Sequence, residues 1–126
     1  MLFRSPAKCL EDKGGSSANG NAIVIDSCTG GSDQKWAITT GGTVRIAGKC
    51  LDVKGKGTTS GTKVDLWQCT SGDVAQTWTI TAGGELVNPH SNMCLTDPAD
   101  STTTGTQTEI AACPAAYNPG TVWHVT

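Results

Sequence analysis

The six cysteines are the most regularly spaced reactive side chains in the sequence. They form three consecutive pairs whose partners are 19 positions apart: Cys9 and Cys28, Cys50 and Cys69, Cys94 and Cys113. A disulfide within such a pair closes a loop of about 20 residues, worth roughly 3 kcal/mol in the chain-entropy model. A zinc site is the alternative, but it requires close cysteine pairs or clustered histidines, and the chain has two histidines. We therefore predict three disulfides, no metal centre and an oxidising, extracellular location.

The cysteine pairs mark three copies of one unit. A leucine follows the first cysteine of each pair. A glycine lies eight positions before the second cysteine, and a tryptophan lies eight to ten positions after that cysteine. The tryptophans, which we predict to pack in the core, are Trp36, Trp78 and Trp123. Gln34 and Gln76 stand two positions before the first two tryptophans, and Thr121 takes that place in the third unit. We predict one domain over residues 1–126, with repeats at approximately 1–45, 46–87 and 88–126.

Short strands must position these residues, because apolar side chains alternate before each second cysteine. One predicted apolar face consists of Ile23, Ile25, Val64, Leu66, Thr108 and Ile110. The residues predicted to face the other way are Val24, Asp26, Asp65, Trp67, Glu109 and Ala111. Gly-Gly pairs at 41–42 and 83–84 lie between alternating runs and predict hairpins. These patterns predict an all-β fold with about four strands in each repeat.

The third unit lacks the second strand of the hairpin that follows the tryptophan in the first two units. The sequence Leu2-Phe3-Arg4 precedes Cys9 as Val44-Arg45 precedes Cys50. We therefore predict that this N-terminal strand pairs with the strand containing Trp123 and Val125. Such closure removes exposed sheet edges.

Charge and hydropathy exclude several classes of partner. The formal net charge is −2, and lysine and arginine form no block, which argues against nucleic acid and anionic membrane surfaces. No apolar run is long enough to span a bilayer, and residues 1–7 lack the apolar core of a signal peptide. Any signal or neighbouring domain is expected to lie outside this sequence.

The repeats resemble a known family. Units of about 40 residues, a Cys50-Leu51-Asp52 start, a Gln-x-Trp end and an internal disulfide are similar to the ricin B-chain type lectin domain. That family includes the family 13 carbohydrate-binding modules of secreted bacterial glycoside hydrolases. Residues 28–36 are similar to the bacterial version of the motif, with Asp33 in place of an asparagine. The resemblance implies a β-trefoil: a pseudo-threefold, six-stranded closed barrel capped by three hairpins, with up to one sugar pocket per repeat.

The middle repeat contains both parts of a sugar site. A sugar needs an aromatic platform for its C–H face, and carboxylates or amides that accept its hydroxyl hydrogen bonds. In the resembled family the positions of Asp52 and Trp67 hold the hydroxyl acceptor and the stacking aromatic, while Asp65 occupies a position that is often glutamine. Gln76 either contacts the ligand or ties its loop together. For Trp67 the alternative is a ring folded against its own domain surface.

One position departs from the family pattern. The binding asparagine expected three residues before Trp78 is Ala75 here, and Asp73 is the residue that can substitute for it. This difference bears on affinity and on the identity of the sugar.

The other repeats keep less of the site. The first has acceptors but no aromatic residue, and we predict a weaker second site there at Glu11, Asp26, Asp33 and Gln34. A solvated acidic patch or a calcium ion is the alternative for this cluster.

The third repeat has Thr96 and Ala111 at the key positions. A relocated site there would use Asp97, Tyr117 and Asn118, which we consider the weaker hypothesis.

The resulting hypothesis is a monomeric, secreted, non-catalytic module without a cofactor. It would bind galactose-type or arabinose-type sugars, or a polysaccharide such as xylan or galactan, and hold an attached glycoside hydrolase near its substrate. One alternative is a glycosidase that uses Asp52 and Asp65 as its two carboxylates. Another is a β-trefoil protein-interaction or inhibitor domain. His90 and His124 have no serine or cysteine partner at a recognisable spacing and are predicted to be structural or surface residues.

Overall fold

A computed structural model describes residues 3–4, 7–115 and 118–125 and shows twelve strands there. The strands of the first half are β1 Phe3–Arg4, β2 Lys8–Asp12, β3 Ile23–Ser27, β4 Ala37–Ile38, β5 Val44–Ile46 and β6 Lys49–Val53. Those of the second half are β7 Val64–Trp67, β8 Thr79–Ile80, β9 Leu86–Asn88, β10 Met93–Thr96, β11 Glu109–Ala112 and β12 His124–Val125. Five 3-10 turns complete the set: η1 Lys13–Gly15, η2 Ser32–Gln34, η3 Lys54–Lys56, η4 Val74–Gln76 and η5 Pro98–Asp100. The all-β prediction is confirmed.

The strands form three antiparallel sheets of four, in the orders β12-β1-β2-β3, β4-β5-β6-β7 and β8-β9-β10-β11. In the first sheet Phe3 pairs with Val125 and Arg4 with His124. The described part of the predicted N-terminal strand therefore completes the last repeat, while Leu2 lies outside the described residues. The repeat boundaries proposed from the sequence remain a prediction, because strand pairing does not define them.

Hydrogen bonds join each of the strands β3, β7 and β11 to the residues just before one of its counterparts, and the Ile25 N–H donates to the Thr106 carbonyl at 3.0 Å. The Leu66 N–H donates to the Asn21 carbonyl (2.8 Å), and the Ile110 N–H donates to the Thr62 carbonyl (2.9 Å). Each of these strands is therefore bonded to a segment of another repeat. The resulting ring gives the molecule its threefold character.

The predicted apolar face of these strands forms the core. All six of its members, Ile23, Ile25, Val64, Leu66, Thr108 and Ile110, are completely buried. The opposite face is less exposed than alternation suggests. Val24 and Asp65 are also buried, because they bridge to Gln107 and Ala22 of neighbouring repeats.

The recurring tryptophans are confirmed as core residues. Trp36, Trp78 and Trp123 are each exposed by 4% or less. Each indole N–H donates to the carbonyl of the leucine that follows the first cysteine of its repeat, at 3.0–3.1 Å. The indole is thus buried with its polar atom satisfied.

The second glycine of each Gly-Gly hairpin allows a close approach between repeats. Gly42 has φ +87°, and a Cβ there would lie 3.4 Å from the Trp78 carbonyl oxygen. Its own carbonyl accepts the Trp78 N–H at 2.8 Å, and Gly84 accepts the Trp123 N–H at the same distance. The hairpin tip of one repeat therefore holds the tryptophan of the next.

The three predicted disulfides are confirmed. Cys9–Cys28, Cys50–Cys69 and Cys94–Cys113 have S–S distances of 1.98–2.03 Å. Among the residues described, no group of three or more His, Cys, Asp or Glu side chains is arranged to hold a metal ion. None of the described helices is long and apolar enough to cross a membrane.

Candidate functional site

The pairing of β6 with β7 places the middle-repeat residues on one face. Asp52 lies opposite Asp65, and Cys50 lies opposite Trp67. Because paired residues and alternate residues share a face of an antiparallel ladder, both carboxyls and the indole project to the same side. Asp52 and Asp65 are 7% and 4% exposed, whereas Trp67 is 45% exposed.

These side chains line a cavity of about 340 Å³, which we call the Trp67 pocket. Asp52, Asp65, Trp67, Asp73 and residues 53–56 form its wall. Three of the four predicted site residues of the middle repeat are thus brought together. Lys54 and Lys56 also line the pocket and were not predicted as site residues, although their Lys-Gly-Lys sequence occurs in no other repeat.

Gln76 lies behind the pocket and not on its wall. Its side chain is completely buried, donates to the Gln68 carbonyl at 2.9 Å and accepts the Thr70 N–H at 2.9 Å. It also hydrogen-bonds the Asp52 carboxyl. These bonds correspond to the loop-tying alternative, and they orient Asp52 from the rear.

The two pocket carboxyls influence each other's pKa. Burial, together with the hydrogen bond and the charge of Asp65, raises the pKa of Asp52 to about 8, which the Gln76 bond opposes. Burial also raises the pKa of Asp65, against the Asp52 hydrogen bond and the charge of Lys54. With its pKa near 8, the Asp52 carboxyl is protonated at neutral pH and can donate a hydrogen bond. Asp65 Oδ1 is buried and has no hydrogen-bond partner.

Trp67 is supported from the first repeat. A Cβ on Gly20 would lie 3.7 Å from Cζ3 of the ring, so the loop before β3 covers part of one ring surface. Asn19 Oδ1 accepts the Gln68 N–H at 2.8 Å and holds that loop against the end of β7. The rest of the indole remains in solvent.

Asp73 takes part in the wall with one oxygen already committed. Its Oδ1 caps η4 by accepting the Ala75 N–H at 2.9 Å and lies 4.0 Å from Lys56 Nζ. The structure thus places Asp73 on the pocket wall, while its proposed substitution for the missing asparagine stays a prediction.

The first-repeat cluster is divided. Gln34 Nε2 donates to Glu11 Oε1 at 3.0 Å, and Glu11 also hydrogen-bonds Asp26. Burial is the main cause of the raised pKa of Glu11. Asp33 lines a separate cavity of about 160 Å³ with Asp12. No aromatic residue lines that cavity.

The third repeat presents no matching surface among its described residues. Thr96 Oγ1 donates to the Cys94 carbonyl at 2.9 Å. Asp97 is completely buried, and neither carboxyl oxygen has a hydrogen-bond partner. Burial, with a contribution from Asp100, raises the pKa of Asp97 to about 7. Asn118 Oδ1 accepts the Gly120 N–H at 2.8 Å, and Tyr117 lies outside the described residues.

His90 and His124 are both exposed on the surface.

The fold and the pocket together define a β-trefoil protein of the lectin class. The family model for the ricin-type beta-trefoil lectin domain matches residues 2–123, and the chain belongs to this family. A comparison with curated protein sequences gives no match.

Solved structures agree on the fold. An agglutinin from Abrus precatorius aligns with a TM-score of 0.86 and 24% identity, over 98% of this chain and 46% of the agglutinin chain. The designed threefold-symmetric protein ThreeFoil aligns with a TM-score of 0.82 and 25% identity over 99% of both chains. A third structure is the C-half of an earthworm R-type lectin in complex with GalNAc. It aligns with a TM-score of 0.80 and 14% identity, over 98% of this chain and 94% of the lectin chain. This chain thus spans less than half the length of the agglutinin chain and carries the carbohydrate-binding fold of ricin-type lectins.

Proposed function

We propose that this protein is a non-catalytic carbohydrate-binding module whose principal site is the Trp67 pocket. The observation that carries the proposal is a half-exposed indole beside two largely buried carboxyls that line the same pocket. An apolar platform next to fixed acceptors is the arrangement that a sugar ring requires.

Each side chain has a distinct part in this binding. The Trp67 ring packs against the C–H face of the sugar. The Asp65 carboxyl, which lines the pocket, accepts one hydroxyl of the sugar. Asp52, held by Gln76 and Asp65, accepts or donates to an adjacent hydroxyl. The site therefore selects a sugar with two neighbouring hydroxyls on the side away from its C–H face.

Galactose-type or arabinose-type sugars, alone or within a polysaccharide such as xylan or galactan, are the proposed ligands. Support comes from two structural neighbours: the earthworm lectin complex with GalNAc and a Momordica charantia protein in complex with α-methyl-D-galactoside. We also propose that the module is secreted and monomeric and holds an attached glycoside hydrolase near its substrate. The three disulfides are consistent with an extracellular location.

The glycosidase alternative is disfavoured by geometry. Asp52 and Asp65 are directly paired on adjacent strands and are only 7% and 4% exposed, whereas the two carboxyls of a glycosidase flank an accessible scissile bond and lie about 5 Å or more apart. Two neighbouring carboxyls that are almost completely buried do not face a sugar from opposite sides.

The test is binding without turnover. The isolated chain is titrated by calorimetry with galactose, GalNAc, arabinose, xylan and galactan, and each polysaccharide is then assayed for new reducing ends. Saturable binding to at least one ligand with no reducing-end release supports the proposal. Reducing-end release would favour the enzyme, and no binding to any ligand would reject the carbohydrate site.

A further inference from the structure

A second and larger cavity lies next to the Trp67 pocket. Its volume is about 530 Å³, and it runs between the β4–β5 hairpin and the loop that follows Cys69. We call it the threonine groove, after Thr39, Thr43, Thr70 and Thr77, which line it together with Arg45. No aromatic side chain contributes to its wall, so its surface suits a polar, hydroxyl-bearing ligand.

Arg45 is the cation of this groove. It is exposed on β5, and its Nε donates to Thr43 Oγ1 at 3.0 Å, which orients the guanidinium. The two ion pairs among the described residues join Lys56 to Asp73 and Lys63 to Glu109, so neither uses Arg45. Its terminal nitrogens therefore remain available as a planar fork, the geometry that matches a carboxylate or a sulfate.

Asp73 connects the groove to the Trp67 pocket, since it lines both cavities. Its Oδ1 is already engaged with the Ala75 N–H and lies near the Lys56 ammonium. The negative charge of Asp73 is thus partly compensated on the pocket side of the wall. A glycan chain seated on Trp67 can therefore continue past Asp73 into the groove.

From this arrangement we propose that the threonine groove binds a neighbouring unit of the same glycan through an anionic substituent, a carboxylate or a sulfate, held by Arg45. This inference rests on the proposed function of the Trp67 pocket and extends it from a sugar to an acidic oligosaccharide. The threonine hydroxyls accept and donate to the remaining hydroxyls of that unit. The middle-repeat site thereby distinguishes acidic from neutral glycans.

The chain provides a matched control for Arg45. Arg4 pairs with Cys9 on β1–β2 as Arg45 pairs with Cys50 on β5–β6, and both arginines are exposed. The two residues therefore share a structural position in different sheets, but Arg4 lines neither the Trp67 pocket nor the threonine groove. Arg45→Gln and Arg4→Gln remove the same charge from the same kind of strand.

Two pairs of probes separate the possible anions. The first is a glucuronate-bearing arabinogalactan oligosaccharide and its carboxyl-reduced form. The second is a sulfated galactan oligosaccharide and its desulfated form. Calorimetry compares the parent, Arg45→Gln, Arg4→Gln and Trp67→Ala at about 0.02 M and about 0.5 M NaCl, between which the Debye length falls several-fold.

The parent is expected to bind one anionic probe roughly tenfold more tightly than its neutral form at low salt. Arg45→Gln should lose that preference while it still binds the neutral form, and Arg4→Gln should keep it. Equal binding of both members of both pairs by the parent, or a preference that survives Arg45→Gln, would overturn this inference and leave the Trp67 site intact. Absence of all binding by the parent would overturn both proposals, and the identity of the preferred pair assigns carboxylate or sulfate.

Discussion

Trp67 combines an exposed ring with support from Gly20, so binding and folding should separate at this residue. We predict that Trp67→Ala loses roughly 2 kcal/mol or more of binding free energy, about thirtyfold in affinity. Its melting temperature should change little, because the side chain lies outside the core. Calorimetry and thermal unfolding measure the two effects.

Asp26→Ala is the matched control for this substitution, since Asp26 precedes Cys28 by the same interval as Trp67 precedes Cys69. It should weaken binding far less than Trp67→Ala does. A Trp67→Ala variant that binds normally would remove Trp67 from the site, and one that unfolds would make it a core residue.

Asp97 is a buried carboxyl without hydrogen bonds, three positions after Cys94. Val53 holds the same place after Cys50 and is 1% exposed. We predict that Asp97→Val stabilises the protein at pH 8 by about 1–3 kcal/mol, the usual cost of an unsatisfied buried polar group. Urea unfolding at pH 8 and at pH 4 measures this difference, which should be smaller at pH 4 because Asp97 is then neutral.

Asp12 provides the contrast. It stands three positions after Cys9, but its Oδ1 accepts a hydrogen bond from Asn21 Nδ2 at 2.6 Å. Asp12→Val should therefore stabilise less than Asp97→Val, or destabilise, since it leaves the Asn21 amide without this acceptor. If Asp97→Val destabilised the protein at pH 8, the prediction would be wrong, because favourable interactions of the Asp97 carboxyl would then exceed the cost of burying it.

At the scale of elements, β1 has two neighbours, β12 and β2, and contributes the completely buried Phe3 to the core. We predict that deletion of residues 1–4 lowers the free energy of unfolding by several kcal/mol, because loss of a buried Phe side chain alone costs about 3–5 kcal/mol. Chemical denaturation measures the change. Arg4→Ala removes an exposed side chain of the same strand and should have little effect, whereas an unchanged stability of the deletion variant would contradict the role of β1.

Local pattern predicts most of these elements and part of the site. The cysteine spacing predicts the disulfides, and the alternation around Leu66 predicts both its burial and the exposure of Trp67. The burial of Asp65 was not predictable in this way, because it depends on a bridge to Ala22 in another repeat. Arg45 was missed for the same reason, since its groove exists only where the hairpin of one repeat meets a loop of the next.

For the whole molecule, buried carboxyls set the response to pH. Burial is the first cause of a raised pKa for Glu11, Asp12, Asp52, Asp65 and Asp97. A carboxyl whose pKa rises on folding stabilises the folded state most when it is protonated, and this contribution declines as pH rises from the unfolded to the folded pKa. For Asp52 that interval runs from 3.8 to about 8, and for Asp97 from 3.8 to about 7.

We therefore predict that the protein is more stable at pH 5 than at pH 8. Calorimetric melting in buffers of equal ionic strength measures the difference, which Asp97→Val should reduce. A melting temperature that rises from pH 5 to pH 8 would contradict the prediction.

The adjacency of β1 and β12 has a topological consequence. Because Phe3 and Val125 are paired, a short linker can join these strands, and new ends can be opened at the exposed residues 58–60 between η3 and β7. We predict that such a circular permutant folds with the same three sheets, since every strand keeps its partners and the Cys50–Cys69 bridge spans the new opening. Circular dichroism and sugar titration check this, and an unfolded permutant would contradict it. By the same geometry, the trefoil can be inserted into a surface loop of a host protein, where it would be anchored by both ends at a single point.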